Sequence, residues 1–184
     1  MFQDLLKSIA KALDEGQMPY MIIGGQAILL YGEPRLTRDI DVTVGIGLDK
    51  LPSLLEVAKK ANLRILSERP EEFVKETMVL PTRDEKSGIR VDFILSFTPY
   101  ERQAIERAKP VQMEGVNVYF ASPEDVIIHK IFAGRPRDLE DIRGILIKQS
   151  QIDLVYLKNW LKEFDQAFPG KNFLETLQKL LEEI

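Results

Sequence analysis

The sequence predicts an α/β core followed by a helical lobe, and three observations carry that reading. A short apolar run, Tyr20 to Ile23, meets Gly24-Gly25 and then a segment with helical spacing. The stretch from Ile89 to Phe97 alternates apolar and polar residues as a half-buried strand does. From Ser122 onward apolar residues recur at helical intervals with no further strand signal. Residues 1–120 are therefore taken as the α/β core and 121–184 as the helical lobe.

The elements follow in chain order. Leu5, Leu6, Ile9 and Leu13 lie on one helical stripe, and Gly16 stands where a helix end favours a left-handed residue. After the strand at Tyr20 to Ile23, Gln26 to Tyr31 forms about two helical turns closed by Gly32. A loop with Pro34 leads to a strand from Asp39 to Val44, which Gly45 and Gly47 end. Leu51 to Ala61 reads as a helix with Pro52 in its first turn, where a missing N–H costs nothing. Thr77 to Pro81 and Ile89 to Phe97 read as strands joined by the polar turn Arg83 to Gly88. Val111 to Met113 and Val116 to Phe120 flank Glu114-Gly115, a two-residue hairpin turn. Ser122-Pro123-Glu124-Asp125 combines an N-cap, a first-turn proline and two acids suited to a helix N-terminus. Arg135-Pro136 breaks this helix from the next, Arg137 to Lys148, and two more begin near Asp153 and Asn172. Phe173, Leu174, Leu177, Leu180, Leu181 and Ile184 form a wide stripe in the last helix, a core face or the seam of a homodimer.

Composition narrows the function classes. The 184 residues, 45% hydrophobic and 29% charged, suit a soluble, ordered chain. No apolar run approaches the roughly 18 residues that span a bilayer, and the amphipathic, acid-bearing start is no signal peptide, so a cytoplasmic location without membrane contact is expected. With no cysteine and a single histidine, His129, any metal must be held by oxygen. A net charge of −4 argues against gripping long nucleic acid by bulk electrostatics.

The candidate chemistry lies in Asp39-Ile40-Asp41, whose spacing of two puts both carboxylates on one strand face. Two adjacent acids repel unless a positive group lies between them, and a hard divalent cation such as Mg²⁺ or Mn²⁺ answers that need. Arg35 and Arg38 could pair with the same acids instead. Gly24-Gly25, between strand and helix, lets a phosphate approach backbone N–H groups at the positive helix end. The connection 26–37 is only twelve residues long, so cradle and carboxylates are neighbours. Asp92 supplies a third acid on the polar face of its strand, opposite Ile89, Val91, Phe93, Leu95 and Phe97.

Taken in order, IIGGQAILLYGEPRLTRDIDVTV, RVDFI and PEDVIIHKIFAGRPRDLEDI resemble the polymerase-β-type nucleotidyltransferase superfamily, and most of all its minimal bacterial branch with the AbiEii-like toxins. The resemblance covers about residues 20–145. It implies a small mixed sheet with flanking helices, metals on Asp39, Asp41 and Asp92, and a nucleoside triphosphate (NTP) facing Gly24 and Gly25. Arg38 is a further candidate contact for the nucleotide. Many members carry Gly-Ser where this chain has Gly24-Gly25, so backbone amides would serve alone. The toxin-like branch further implies that Lys130 contacts phosphate and that Asp138 joins the site; the Lys130 stem is expected to be exposed. Asp141 is read as a solvated helix-face acid.

The reaction expected is transfer of a nucleoside monophosphate to an acceptor hydroxyl with release of pyrophosphate. A structured RNA or a protein hydroxyl is favoured as acceptor over a small molecule. Two rivals stand beside it: a non-catalytic nucleotide-sensing or partner-binding module, and a metal-dependent phosphoesterase, which would usually bring more histidines than one.

Overall fold

A computed structural model describes residues 2–34, 36–96 and 98–184. Arg35, weighed above as a partner for the aspartates, and Phe97, expected at a strand end, lie outside the described residues. The chain forms α1 (Phe2–Glu15), β1 (Tyr20–Ile23), α2 (Gly24–Tyr31), β2 (Asp39–Val44), α3 (Leu51–Lys60), β3 (Leu63–Ile65), α4 (Pro70–Thr77), β4 (Val79–Asp84) and β5 (Arg90–Leu95). There follow α5 (Pro99–Glu106), β6 (Lys109–Met113), β7 (Val116–Phe120), α6 (Pro123–Ala133), α7 (Pro136–Lys148), α8 (Leu154–Ala167) and α9 (Phe173–Glu182). It divides into two compact units. One gathers Leu36–Ala121 with the chain up to Gln26, and the other gathers Ser122–Ile184 with the body of α2 from Ala27 on.

Among the described residues, the first unit holds a mixed seven-stranded sheet in the order β3-β4-β5-β2-β1-β7-β6. Its centre is β2, antiparallel to β1 and parallel to β5. One face carries Ile22, Ile40, Val42, Val44, Leu80, Val91, Phe93 and Leu95, all buried. Because side chains alternate with a period of two, this apolar set fixes the register of β2 on β5: a slip of one residue would drive acids into the core. The β6–β7 hairpin turns at Glu114 and Gly115 with φ of 48° and 82°, the two positive values that a tight hairpin turn requires. Pro110 is tolerated in β6 because that strand is the sheet's edge.

In the second unit α6 packs on α7, α8 and α9. Ser122 caps α6, its hydroxyl accepting the Asp125 backbone N–H, and Asp153 caps α8 in the same way at Tyr156. Phe173, Leu177 and Leu180 of α9 are buried, which makes this part of the stripe core, while Ile184 is exposed. Phe132 of α6 meets the rings of Phe164, Phe168 and Phe173.

Several elements depart from the sequence expectations. Helix α1 ends through Gln17 in the left-handed region, at φ 53°, and not through Gly16. Gly16 is small for another reason, since a Cβ there would meet Val57 Cγ2 at 2.9 Å. The strand expected from Thr77 begins at Val79, because Thr77 belongs to α4, its hydroxyl bonded to the Phe73 carbonyl, and Met78 ends that helix at φ 57°. Strand β3 and helices α4 and α5 have no counterpart in the sequence reading. Helix α5 carries a cap of the type recognised at Ser122: Thr98 accepts the Glu101 N–H and Pro99 follows.

Candidate active site

Strands β2 and β5 build the site. Their register pairs Asp39 with Arg90 and Asp41 with Asp92. Paired residues on neighbouring strands, about 4.8 Å apart, project from the same face, so the three aspartates share one face with Arg90. Their neighbours Ile40, Val42, Val91 and Phe93, each 0% exposed, occupy the opposite face and hold the arrangement in place. Asp39 is exposed, and Asp41 and Asp92 are half-buried.

The glycine turn comes against this row from β1, where Ile23 is the partner of Asp41. Gly24 opens α2 at φ 65°, and a Cβ on it would lie 2.2 Å from Asp41 Oδ2. Glycine is therefore required twice, by its left-handed backbone and by the carboxylate that fills the space a side chain would take. Buried Gln26 donates from Nε2 to the Thr37 hydroxyl at 2.7 Å. That bond ties the segment leading into β2 to the start of α2, which returns the chain to the turn just before Arg38 and Asp39.

Arg90 is the cation of the cluster. Its Nε donates to Asp92 Oδ1 at 2.8 Å. The Asp92 hydrogen bond, opposed in part by burial and helped by the charges of Asp92, Asp39 and Asp41, holds its guanidinium above the ordinary pKa. Three carboxylates against one guanidinium leave an excess of negative charge. Hard oxygen donors in such excess suit a divalent cation. Among the described residues, however, no three acidic or histidine side chains are gathered closely enough to hold a metal ion as they stand. At Asp92 one carboxylate oxygen is engaged with the Arg90 guanidinium.

Arg38 is exposed beside Asp39. Lys130 and Asp138 belong to the second unit and face each other: Lys130 Nζ lies 2.6 Å from Asp138 Oδ1 and 2.7 Å from Asp141 Oδ2. All three are buried, which corrects both the exposed stem expected for Lys130 and the solvated face expected for Asp141. Asp138 also accepts the Arg135 backbone N–H and so closes the first turn of α7. The residues that sequence reasoning passed over are Arg90, Gln26 and Thr37. Arg90 had a signal, its place two residues before Asp92 on the same strand face. The Gln26–Thr37 bond had none.

Residues 92–178 match the model of a family described as nucleotidyltransferase of unknown function (DUF6036). No match is found among curated proteins. Solved structures with a similar fold include the antibiotic-resistance factor ANT(2'')-Ia, at a TM-score of 0.60 and 17% identity over 90% of this chain and 93% of the other. An antigenic nucleotidyltransferase-like protein from Paracoccidioides brasiliensis aligns at a TM-score of 0.57 and 19% identity, over 98% of this chain and 91% of the other. The lincosamide antibiotic adenylyltransferase LnuA, with lincomycin bound, aligns at 0.53 and 15% identity, over 79% and 97%.

Proposed function

We propose that this chain, a nucleotidyltransferase by its fold and by the family model over residues 92–178, transfers a nucleoside monophosphate from an NTP to an acceptor hydroxyl, using Asp39, Asp41 and Asp92. The observation that carries the reading is the pairing of Asp41 with Asp92 in register while the Asp41 carboxylate lies against the backbone of Gly24. Acids and phosphate cradle thereby meet at one place in the first unit. Mg²⁺ or Mn²⁺ held by the three aspartates would offset the charge of the phosphates and favour attack by the acceptor oxygen. The backbone N–H groups at Gly24 and Gly25 receive the triphosphate at the start of α2, where the helix end favours an anion. Arg38 offers a further cation to the phosphates. Asp92 accepts the proton of the acceptor hydroxyl, for which it must leave the Arg90 guanidinium. Lys130 and Asp138 take no part in nucleotide binding in this account, since the ammonium is already shared between two buried carboxylates.

Resemblance to the AbiEii-like branch supports an RNA or protein acceptor. The likeness to antibiotic-modifying proteins is one of fold and names no acceptor for this chain. A second reading, a nucleotide-binding module without turnover, draws on the engagement of Asp92 by Arg90. Product analysis separates the two. The protein is incubated with α-labelled NTP, Mg²⁺ or Mn²⁺, and cell fractions of RNA, protein and metabolites. Label retained on an acceptor with pyrophosphate released, and lost in Asp41→Asn, is the expected result. Free nucleotide without transfer would indicate hydrolysis, and bound but unreacted NTP would favour the sensing module.

A further inference from the structure

On the sheet face that carries the aspartates, four neighbouring strands set three arginines and an aspartate in one register row. Arg64 of β3 pairs with Arg83 of β4, Arg83 with Arg90 of β5, and Arg90 with Asp39 of β2. All four residues are exposed. Adjacent strands are about 4.8 Å apart, so the three arginine stems stand within about 10 Å along the row. Like charges directly opposite one another on a sheet are destabilising. The fold relieves this only in part. Arg64 pairs with Glu85 and Arg90 with Asp92, each arginine remaining half-exposed, and surface pairs of this kind contribute little. Arg83 has no acidic partner among the described residues. Protection of an open sheet edge explains Arg64 at most, because β3 is the edge strand whereas β4 and β5 are interior.

We propose that this row is a track for the phosphodiester backbone of an unpaired RNA strand, leading its terminal hydroxyl, the acceptor, toward the aspartates at its end, Asp39 and the neighbouring Asp92. The inference rests on the nucleotidyl-transfer reading above and names the substrate class of that site. Guanidinium groups take phosphate oxygens through paired N–H bonds, which suits a row of arginines. Three aligned cations engage a few phosphates of a strand end, which is compatible with a chain of net charge −4 that lacks the basic excess needed to wrap a duplex. A protein hydroxyl as acceptor would give no reason for such a row. The triphosphate carries the same chemistry as an RNA backbone, so the test must separate the two.

The test titrates a fluorescently labelled oligouridine with the full chain by anisotropy, at about 50 to about 200 mM salt. Each phosphate contact on a single strand contributes a slope of about −0.7 in log affinity against log salt. Three contacts predict a loss of affinity of about 18-fold over that range, and Arg64→Ala with Arg83→Ala reduces the loss to about 2.6-fold. Arg83→Gln alone shifts the slope by about 0.7 and guards against misfolding of the double variant. Binding of Mg²⁺·NTP, read from the thermal shift, stays unchanged in both variants. Equal slopes in all proteins, or no binding of the oligonucleotide by the parent chain, would overturn the track. Parallel loss of NTP binding would assign the row to the triphosphate and overturn it equally. If the slopes change as expected but no label is ever transferred, the track stands and the transfer reading fails; transfer to protein with unchanged slopes refutes the track alone.

Discussion

Replacing Lys130 by alanine is expected to destabilise the protein strongly. The ammonium lies between Asp138 and Asp141 at 2.6 and 2.7 Å, and the three side chains are only 8–9% exposed. Truncation leaves two carboxylates buried without their shared cation, and breaking a buried pair by removing one partner costs about 3–5 kcal/mol. Asp138 keeps the Arg135 N–H, which puts the expected value inside that range and not above it. For a chain of this size, about 2–4 °C of Tm per kcal/mol corresponds to a fall of about 6–20 °C. Thermal and urea melts of Lys130→Ala, beside the triple variant Lys130→Met, Asp138→Asn, Asp141→Asn, make the assay. The triple variant removes all three charges and should recover much of the loss, because an apolar or neutral replacement of a buried ionic group is often tolerated. A Lys130→Ala protein that melts with the parent would refute the buried network. A protein that keeps its melt but loses NTP binding would return Lys130 to the nucleotide.

Gly24→Ala should cost at least about 1–2 kcal/mol, since φ is 65° and the new Cβ falls 2.2 Å from Asp41 Oδ2; parent-like melting and NTP binding would show the turn to be less constrained than described. Arg90→Gln should alter stability by less than about 1 kcal/mol, as for a surface pair, while raising Mn²⁺ affinity measured by electron paramagnetic resonance several-fold, because Asp92 is released. Unchanged Mn²⁺ affinity would mean that Arg90 does not compete for Asp92. The Tyr31 phenol, raised to about 12 by burial first and then by the charges of Glu124 and Asp125, binds its proton more tightly folded than unfolded. Its contribution to stability is thus complete below pH about 10 and is lost as pH rises toward 12. Urea melts across that window should show a shallower decline in Tyr31→Phe, and an identical decline would place the effect elsewhere.

The parts of this fold that could be read in the sequence are those in which one residue pattern had one physical meaning. The alternation in β5 and the D-x-D of β2 gave side-chain faces directly, and the hairpin at Glu114-Gly115 and the cap at Ser122 announced themselves through turn and capping chemistry. Short or mixed segments did not. Strand β3 has three residues, and the run Pro70 to Thr77 holds only two large apolar side chains, Phe73 and Val74, too few to show a helical period. At the site, the sequence indicated which acids face together but not their register, and only register shows that Asp41 stands opposite Asp92 and that three arginines align beyond them. The exposed stem expected for Lys130 is wrong because burial cannot be read from a lone lysine. Its two acidic partners lie eight and eleven residues away, and only the turn at Gly134 and Pro136 brings them onto it.

The most direct measurement is the anomalous scattering of Mn²⁺ in crystals grown with a non-hydrolysable NTP analogue. The account predicts manganese among the carboxylates of Asp39, Asp41 and Asp92, with the triphosphate at Gly24 and Gly25 and the Asp92 side chain turned away from Arg90. Manganese bound elsewhere, or a triphosphate seated away from the glycine turn while Asp92 stays paired with Arg90, would contradict it.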